Sequence, residues 1–240
     1  MIKLKNLTIL GTSHIAKQSI SEIEQTITEQ KPGLVCLELD KQRFSALNNQ
    51  AKTRINFGMI RQIGVTAFFF ALLGQYIQKK LAQKVGVKPG ADMMHATKLA
   101  REHQIQVALI DRNITITLQR LSKKFSWKER FQIVKDIFRS IFFRKKVMQE
   151  IGFAQFDLST VPSKEIIRKM IAKLRKDYPN LHSVLIEERN QVMARNLHGL
   201  MKHYKDTNIV AVVGAGHEDG MHEILKKLQD DEAQANNQSA

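Results

Sequence analysis

Four short apolar runs govern what this chain can fold into: LTIL (7–10), LVCLEL (34–39), VALI (107–110) and IVAVV (209–213). A strand exposed on one face alternates apolar and polar residues, because successive side chains point to opposite sides. Runs without that alternation are strands covered on both faces, and such strands build mostly parallel sheets with helices on either side. The expected class is therefore α/β, a central mostly parallel sheet flanked by helices. Between the first two runs, Ile20, Ile23 and Ile27 share one helical face over Ser19–Gln30, and Lys31-Pro32-Gly33 stops that helix. This is a βαβ unit.

After the fourth run, Met221, Ile224, Leu225 and Leu228 mark a further amphipathic helix, and the acidic, Asn/Gln-rich stretch 230–240 is expected to be a frayed or disordered tail. Helical stretches are also expected over 55–85, 91–103, 127–150, 163–177 and 183–204. Residues 1–229 then form one domain, with long helical insertions at 41–90 and 113–160. Cys36, inside an apolar run, is expected to be a buried thiol with no disulfide partner in the chain. The N-terminus lacks the apolar h-region of a secretion signal, which favours a cytoplasmic location.

In an open α/β sheet, ligands bind beyond the carboxyl ends of the strands. Here those ends carry His14, Glu38 with Asp40, Asp111 with Arg112, and His217. The first and last runs both lead into Gly-x-x-His, GTSH (11–14) and GAGH (214–217). Two imidazoles and a carboxylate are suitable ligands for a divalent ion that keeps a position for water. The same groups also suit a metal-free acid/base or anion-binding cleft, or plain structural loops. In LIEERNQVMARNL (185–197), Glu188 is a candidate base or anchor, and Arg189 a candidate partner for a substrate carboxylate or an oxyanion. Arg43 and Arg112 are suited to similar work.

The net charge of +15 is uneven: residues 51–90 carry seven basic and no acidic side chains, and residues 119–149 carry ten and two. Zinc-finger spacing and RNP patterns are absent, so nucleic acid is a poor candidate partner. Both segments mix charge with apolar blocks, IGVTAFFFALLG (63–74) and IFFRKK (141–146), which favours an anionic membrane surface. Neither block has the roughly 20 residues needed to span a bilayer. A helix buried in its own domain, or one pairing protomers in an oligomer, accounts for them as well.

Several motifs occur in an order that resembles the TraB/PrgY family of pheromone-shutdown proteins, related to the Tiki metalloproteases and to the GumN and erythromycin-esterase groups. They are GTSHIAKQS (11–19), LELDKQRFSAL (37–47), PGADMMHA (89–96), IDRNITITLQR (110–120), LIEERNQVMA (185–194) and VVGAGHEDGM (212–221). The resemblance implies an EreA/ChaN-like fold and a metal-dependent peptide hydrolase that inactivates a peptide signal. It places manganese, cobalt or zinc on His14, Glu38, His217 and Asp111, with catalytic roles for Glu188, Arg189, Arg112 and Arg43. Metal-free histidine-dependent hydrolysis and peptide sequestration without cleavage are the alternatives. Asn190 stands where that pattern usually has Asp, removing one anionic contact. The longer family members carry C-terminal transmembrane helices, so a soluble domain of a membrane-anchored parent is implied.

Overall fold

Strand pairing follows directly from the apolar runs. The computed structural model describes residues 1–12, 17–49, 58–66, 68–72, 75, 90–142 and 164–238. In chain order the elements are β1 (Ile2–Leu4), β2 (Leu7–Thr12), α1 (Lys17–Gln30), β3 (Leu34–Leu37), α2 (Lys41–Asn48), α3 (Met59–Ile63), α4 (Ala91–Glu102) and β4 (Gln106–Leu109). There follow α5 (Ile114–Lys124), α6 (Trp127–Phe142), α7 (Lys164–Asp177), α8 (Pro179–His182), a π turn (Ser183–Glu187), α9 (Glu188–His203), β5 (Ile209–Gly214) and α10 (Ala215–Gln238).

The sheet order is β1-β2-β5-β3-β4. The last strand is the central one: β5 lies parallel to β2, Leu7 opposite Ile209, and to β3, Leu34 opposite the same residue. All six of its residues are buried. Only β1 is antiparallel, folded back on β2 through Lys5, whose φ is +50°. The two faces follow the period of two. Leu7, Ile9, Leu34, Cys36, Ile209, Ala211 and Val213 meet Met193, Ala194 and Leu197 of α9 and Met221 and Leu225 of α10. Leu10, Val35, Leu37, Val210 and Val212 meet Ile23 and Ile27 of α1 and Met93, Ala96 and Leu99 of α4. Helices cover both faces, as uninterrupted apolar strands require. Burial pushes the Cys36 thiol up to about 12, so it is a packing group.

Three expectations change. The helix expected over 55–85 lies partly outside the described residues, and within them it breaks at Gly64, whose φ of +81° ends α3. A side chain there would be strained and would meet Ser122 Oγ at 2.4 Å. The stretch 183–204 is one continuous helical segment, but it opens with a π turn. The acidic stretch from Asp230 is helical through Gln238. Glu232 pairs there with Lys202 and, at 3.2 Å, with His198 of α9, contacts that composition alone does not disclose. Among the described residues, no helix is long and apolar enough to cross a membrane.

Candidate functional site

The carboxyl edge of the sheet is where the chain stops pairing and starts presenting side chains. β3 ends at Leu37, the Leu39 amide bonds back to the Leu37 carbonyl at 2.7 Å, and this bend turns Glu38 over the edge. Glu38 Oε2 accepts the Gly214 amide at 2.6 Å, which ties the end of β3 to the end of β5. Asp111 follows β4 and accepts the Arg112 amide at 2.8 Å. Asp40 caps α2 through the amides of Gln42 (2.8 Å) and Arg43 (3.1 Å), and its other oxygen accepts from Ile114 at the start of α5. An N-cap carboxylate of this kind satisfies donors that a helix leaves open.

Arg189, from the first turn of α9, is the hub. Its Nη2 donates to Glu38 Oε1 and to Asp111 Oδ2, the latter at 2.7 Å. Its Nε donates to both Asp111 oxygens at 3.1 and 3.3 Å. Its Nη1 reaches the Leu185 carbonyl at 3.2 Å and His217 Nε2 at 3.0 Å. Arg43 completes the group by donating to Asp111 Oδ2 and, at 2.7 Å, to Asp40 Oδ2. Burial alone would lower the pKa of Arg189, but the carboxylates of Glu38 and Asp111 more than reverse that and hold it charged. Arg43 forms the open side of the group, with 30% of its side chain exposed against 14% for Arg189 and 1% for Asp111.

The imidazole state follows from these partners. A guanidinium only donates, so His217 Nε2 must offer its lone pair to Arg189, and the proton sits on Nδ1. Nδ1 lies 2.6 Å from Asn190 Oδ1, an acceptor. Nε2 is also 3.4 Å from Glu38 Oε1, a contact that would suit an imidazolium. The closer Arg189 donor decides for the neutral ring, because a second N–H at Nε2 would point at another N–H. Asn190, which the sequence marks as a lost anionic contact, thus orients the imidazole. Gly220 makes room for it, since a Cβ there would lie 2.4 Å from Asn190 Nδ2.

Glu188, next to Arg189, points elsewhere. It accepts from Arg112 Nη1 (2.8 Å), from Arg120 Nη2 (2.8 Å) and from Lys124 Nζ (2.7 Å). Burial raises its pKa, but the three cations outweigh that and hold the carboxyl down to about 2. A carboxylate held so far below neutrality is a poor proton acceptor. Its geometry is that of an anchor between α9 and α5, and the base role expected for Glu188 has no support in it. Arg112 also donates to Thr117 Oγ1 (2.9 Å) and to the Val184 carbonyl (2.9 Å). The π turn therefore supplies carbonyls to two guanidiniums, Val184 to Arg112 and Leu185 to Arg189; such turns often occur at functional sites.

Glu38, Asp111, His217, Arg189 and Arg43 are thus brought together, with Glu188 and Arg112 in an adjoining ion cluster. His14 lies outside the described residues. Sequence reasoning missed Arg120 and Lys124, although their spacing of four on α5 aligns them on one helical face. It also missed the buried pair at the end of β2, where Thr12 Oγ1 donates to Asp92 Oδ2 at 2.6 Å.

Among the described residues, no three His, Cys, Asp or Glu side chains group as a metal site. Glu38, Asp111 and His217 each turn an acceptor onto the guanidinium of Arg189. A divalent ion at that point would meet a fixed cation, so the described set does not fit a resident ion while Arg189 holds this position.

An uncharacterized protein of Methanocaldococcus jannaschii is 32% identical over 93% of this chain and 54% of its own length. TraB domain-containing proteins of Bos taurus and Homo sapiens are 24% and 21% identical over 89% of the chain, and 60% and 61% of their own lengths. The chain therefore spans between 54% and 61% of these relatives. The model of the TraB/PrgY/gumN family matches residues 3–236, and the chain belongs to that family.

Proposed function

We propose that this domain is a hydrolase acting on peptides at the carboxyl edge of the sheet, with His217 and the Arg189 guanidinium as its working pair. The observation that carries this reading is the convergence of Glu38, Asp111 and His217, from three separate strand ends, on one arginine. His217 is held in the tautomer a general base needs, with its Nε2 lone pair directed into the site. A peptide carbonyl arriving past Arg43 competes for the Nη1 donor of Arg189. Nε2, released from that donor, takes a proton from water as the water oxygen attacks the carbonyl carbon. The resulting oxyanion lies against the guanidinium of Arg189 or Arg43, a charge-assisted contact made strongest in the transition state. Collapse breaks the C–N bond, and the imidazolium returns its proton to the leaving amine.

A role in silencing a peptide signal, and kinship with the Tiki metalloproteases, belong to this proposal through family membership. The metal-dependent version, with manganese, cobalt or zinc held by His14, Glu38, His217 and Asp111, requires Arg189 to leave the point it occupies. The deciding experiment incubates a mixed peptide pool with the chain after exhaustive EDTA treatment and reads cleavage by mass spectrometry. Cleavage that survives EDTA and is lost in both His217→Ala and Arg189→Lys supports the histidine–arginine reading. Cleavage restored only by added metal supports the metal version. Peptides that are bound in stoichiometric amounts and recovered intact overturn hydrolysis in favour of sequestration.

A further inference from the structure

The surface of α6 is arranged opposite to that of an ordinary solvent-facing helix. Trp127 and Phe131 are each 71% exposed, and Val134 and Phe138 are 51% and 58% exposed. At about 100° per residue these four fall within about 60° of arc. Lys128, Lys135 and Arg139 are exposed along one flank of the stripe, about 80–120° from Trp127. Arg130 lies on the other flank, its guanidinium 4.6 Å from the centroid of the Trp127 ring.

The acids of the helix are turned the other way. Glu129 forms a reciprocal cap with Ser126: its carboxylate accepts the Ser126 amide at 3.1 Å, and its own amide donates to Ser126 Oγ at 3.3 Å. Glu129 also accepts the amides of Asn180 (2.8 Å) and Leu181 (3.3 Å) at the start of α8. Asp136 accepts the Tyr178 hydroxyl at 2.5 Å. The carboxylates of α6 are thus turned inward to capping and docking, while its outward side offers aromatic rings flanked, among the described residues, by Lys128, Arg130, Lys135 and Arg139. Just before the helix, the buried Phe125 packs edge-on against Phe70 at 4.9 Å, and the exposed Phe69 packs against Phe70 at 6.1 Å.

We propose that α6 is an interfacial helix, which lays Trp127, Phe131, Val134 and Phe138 into an anionic lipid surface while Lys128, Arg130, Lys135 and Arg139 meet the headgroups. Tryptophan and phenylalanine favour the boundary between headgroups and acyl chains, and long basic side chains reach back from it to phosphate. Charge chooses the occupant. A second copy of the stripe would bring Lys128, Lys135 and Arg139 against the same cations, whereas an anionic lipid leaflet complements them. The inference stands apart from the hydrolase reading, because none of these side chains belongs to the Arg189 group.

Trp127 is the chain's single tryptophan, so its emission reports on this contact alone. The full chain is titrated with vesicles of phosphatidylcholine containing phosphatidylglycerol, and with phosphatidylcholine alone. The expected result is a blue shift, and quenching by lipid brominated on the acyl chain, with the mixed vesicles, weakening as salt is raised. Each cation near such a surface contributes about fivefold to partitioning, so the triple change Lys128→Gln, Lys135→Gln, Arg139→Gln lowers it about a hundredfold. Phe131→Ser with Phe138→Ser, both at exposed positions, abolishes partitioning while the circular dichroism of the chain is retained. Emission unmoved by anionic vesicles overturns the proposal. So does a blue shift that needs no vesicles and tracks formation of a dimer in sedimentation, which would assign the stripe to a second copy.

Discussion

Replacing Arg189 with glutamine tests the hub from both sides. In the wild type, Glu38 and Asp111 lie 5% and 1% exposed and share this one guanidinium. Removing one member of a buried ion pair leaves an uncompensated charge and costs about 3–5 kcal/mol. Arg43 still contacts Asp111 and the Gly214 amide still donates to Glu38, so the lower part of that range applies at least to Asp111. In a chain of this size each kcal/mol moves the midpoint by roughly 2–4 °C, giving a loss of roughly 6–20 °C at pH 7 by scanning calorimetry. The pH dependence has a definite sign. Loss of a buried counter-charge favours protonation in the folded variant over the unfolded chain, so the deficit shrinks as pH falls from 7 towards 5. The same substitution removes the fixed cation from among Glu38, Asp111 and His217, where a divalent ion could take its place. Manganese or zinc at about 100 times its dissociation constant should then return about 2.7 kcal/mol to the variant, and far less to the wild type. An Arg189→Gln chain that melts with the wild type at pH 7, or that gains no more than the wild type from added metal, would refute the hub.

Three further outcomes follow from the same contacts. Glu188 is held at about 2 against an ordinary 4.5. Its contribution, about 3 kcal/mol at most, is complete above pH 4.5 and lost as pH falls through 2, so Glu188→Gln should flatten that limb of the stability curve in urea titrations. Cys36, fully buried with its thiol pushed up to about 12, should resist maleimide at neutral pH and react stoichiometrically in denaturant; rapid native labelling would contradict the packing of β3. His217 should show the Nδ1–H tautomer in nitrogen-15 spectra at pH 7, and Asn190→Asp, by adding a carboxylate at Nδ1, should favour the imidazolium and weaken the Nε2 contact with Arg189; a wild-type ring already protonated at Nε2 would rule out that contact.

The sheet was legible because strands buried on both faces leave a local mark: β2, β3, β4 and β5 coincide with the four apolar runs to within a few residues. Elements whose shape depends on distant partners left no such mark. β1 has only three residues and takes its place from the turn at Lys5 and from pairing with β2. Gly64 breaks a stretch whose composition suits one long helix. The helical state of residues 230–238 draws on Glu232 reaching back to Lys202 and His198, thirty or more residues earlier.

The site divides along the same line. That Glu38, Asp111 and His217 meet was readable from strand ends, because a parallel sheet delivers such residues to one edge. How they meet was not. An imidazole and two carboxylates suggest a cation at their centre, and for His217, Glu38 and Asp111 the structure does place a cation there, but it is the chain's own arginine, 151 residues from Glu38 in sequence. Residue types alone cannot separate these cases, since a guanidinium and a metal ion call for the same acceptors. The distinction lies in the start of α9. Successive residues on a helix point about 100° apart, so Glu188 and Arg189, adjacent in sequence, serve two clusters: one holds α5 through Arg112, Arg120 and Lys124, and the other fills the edge of the sheet. The pairing that holds Glu188 ionised among Arg112, Arg120 and Lys124 also fixes the turn from which Arg189 reaches Glu38, Asp111 and His217.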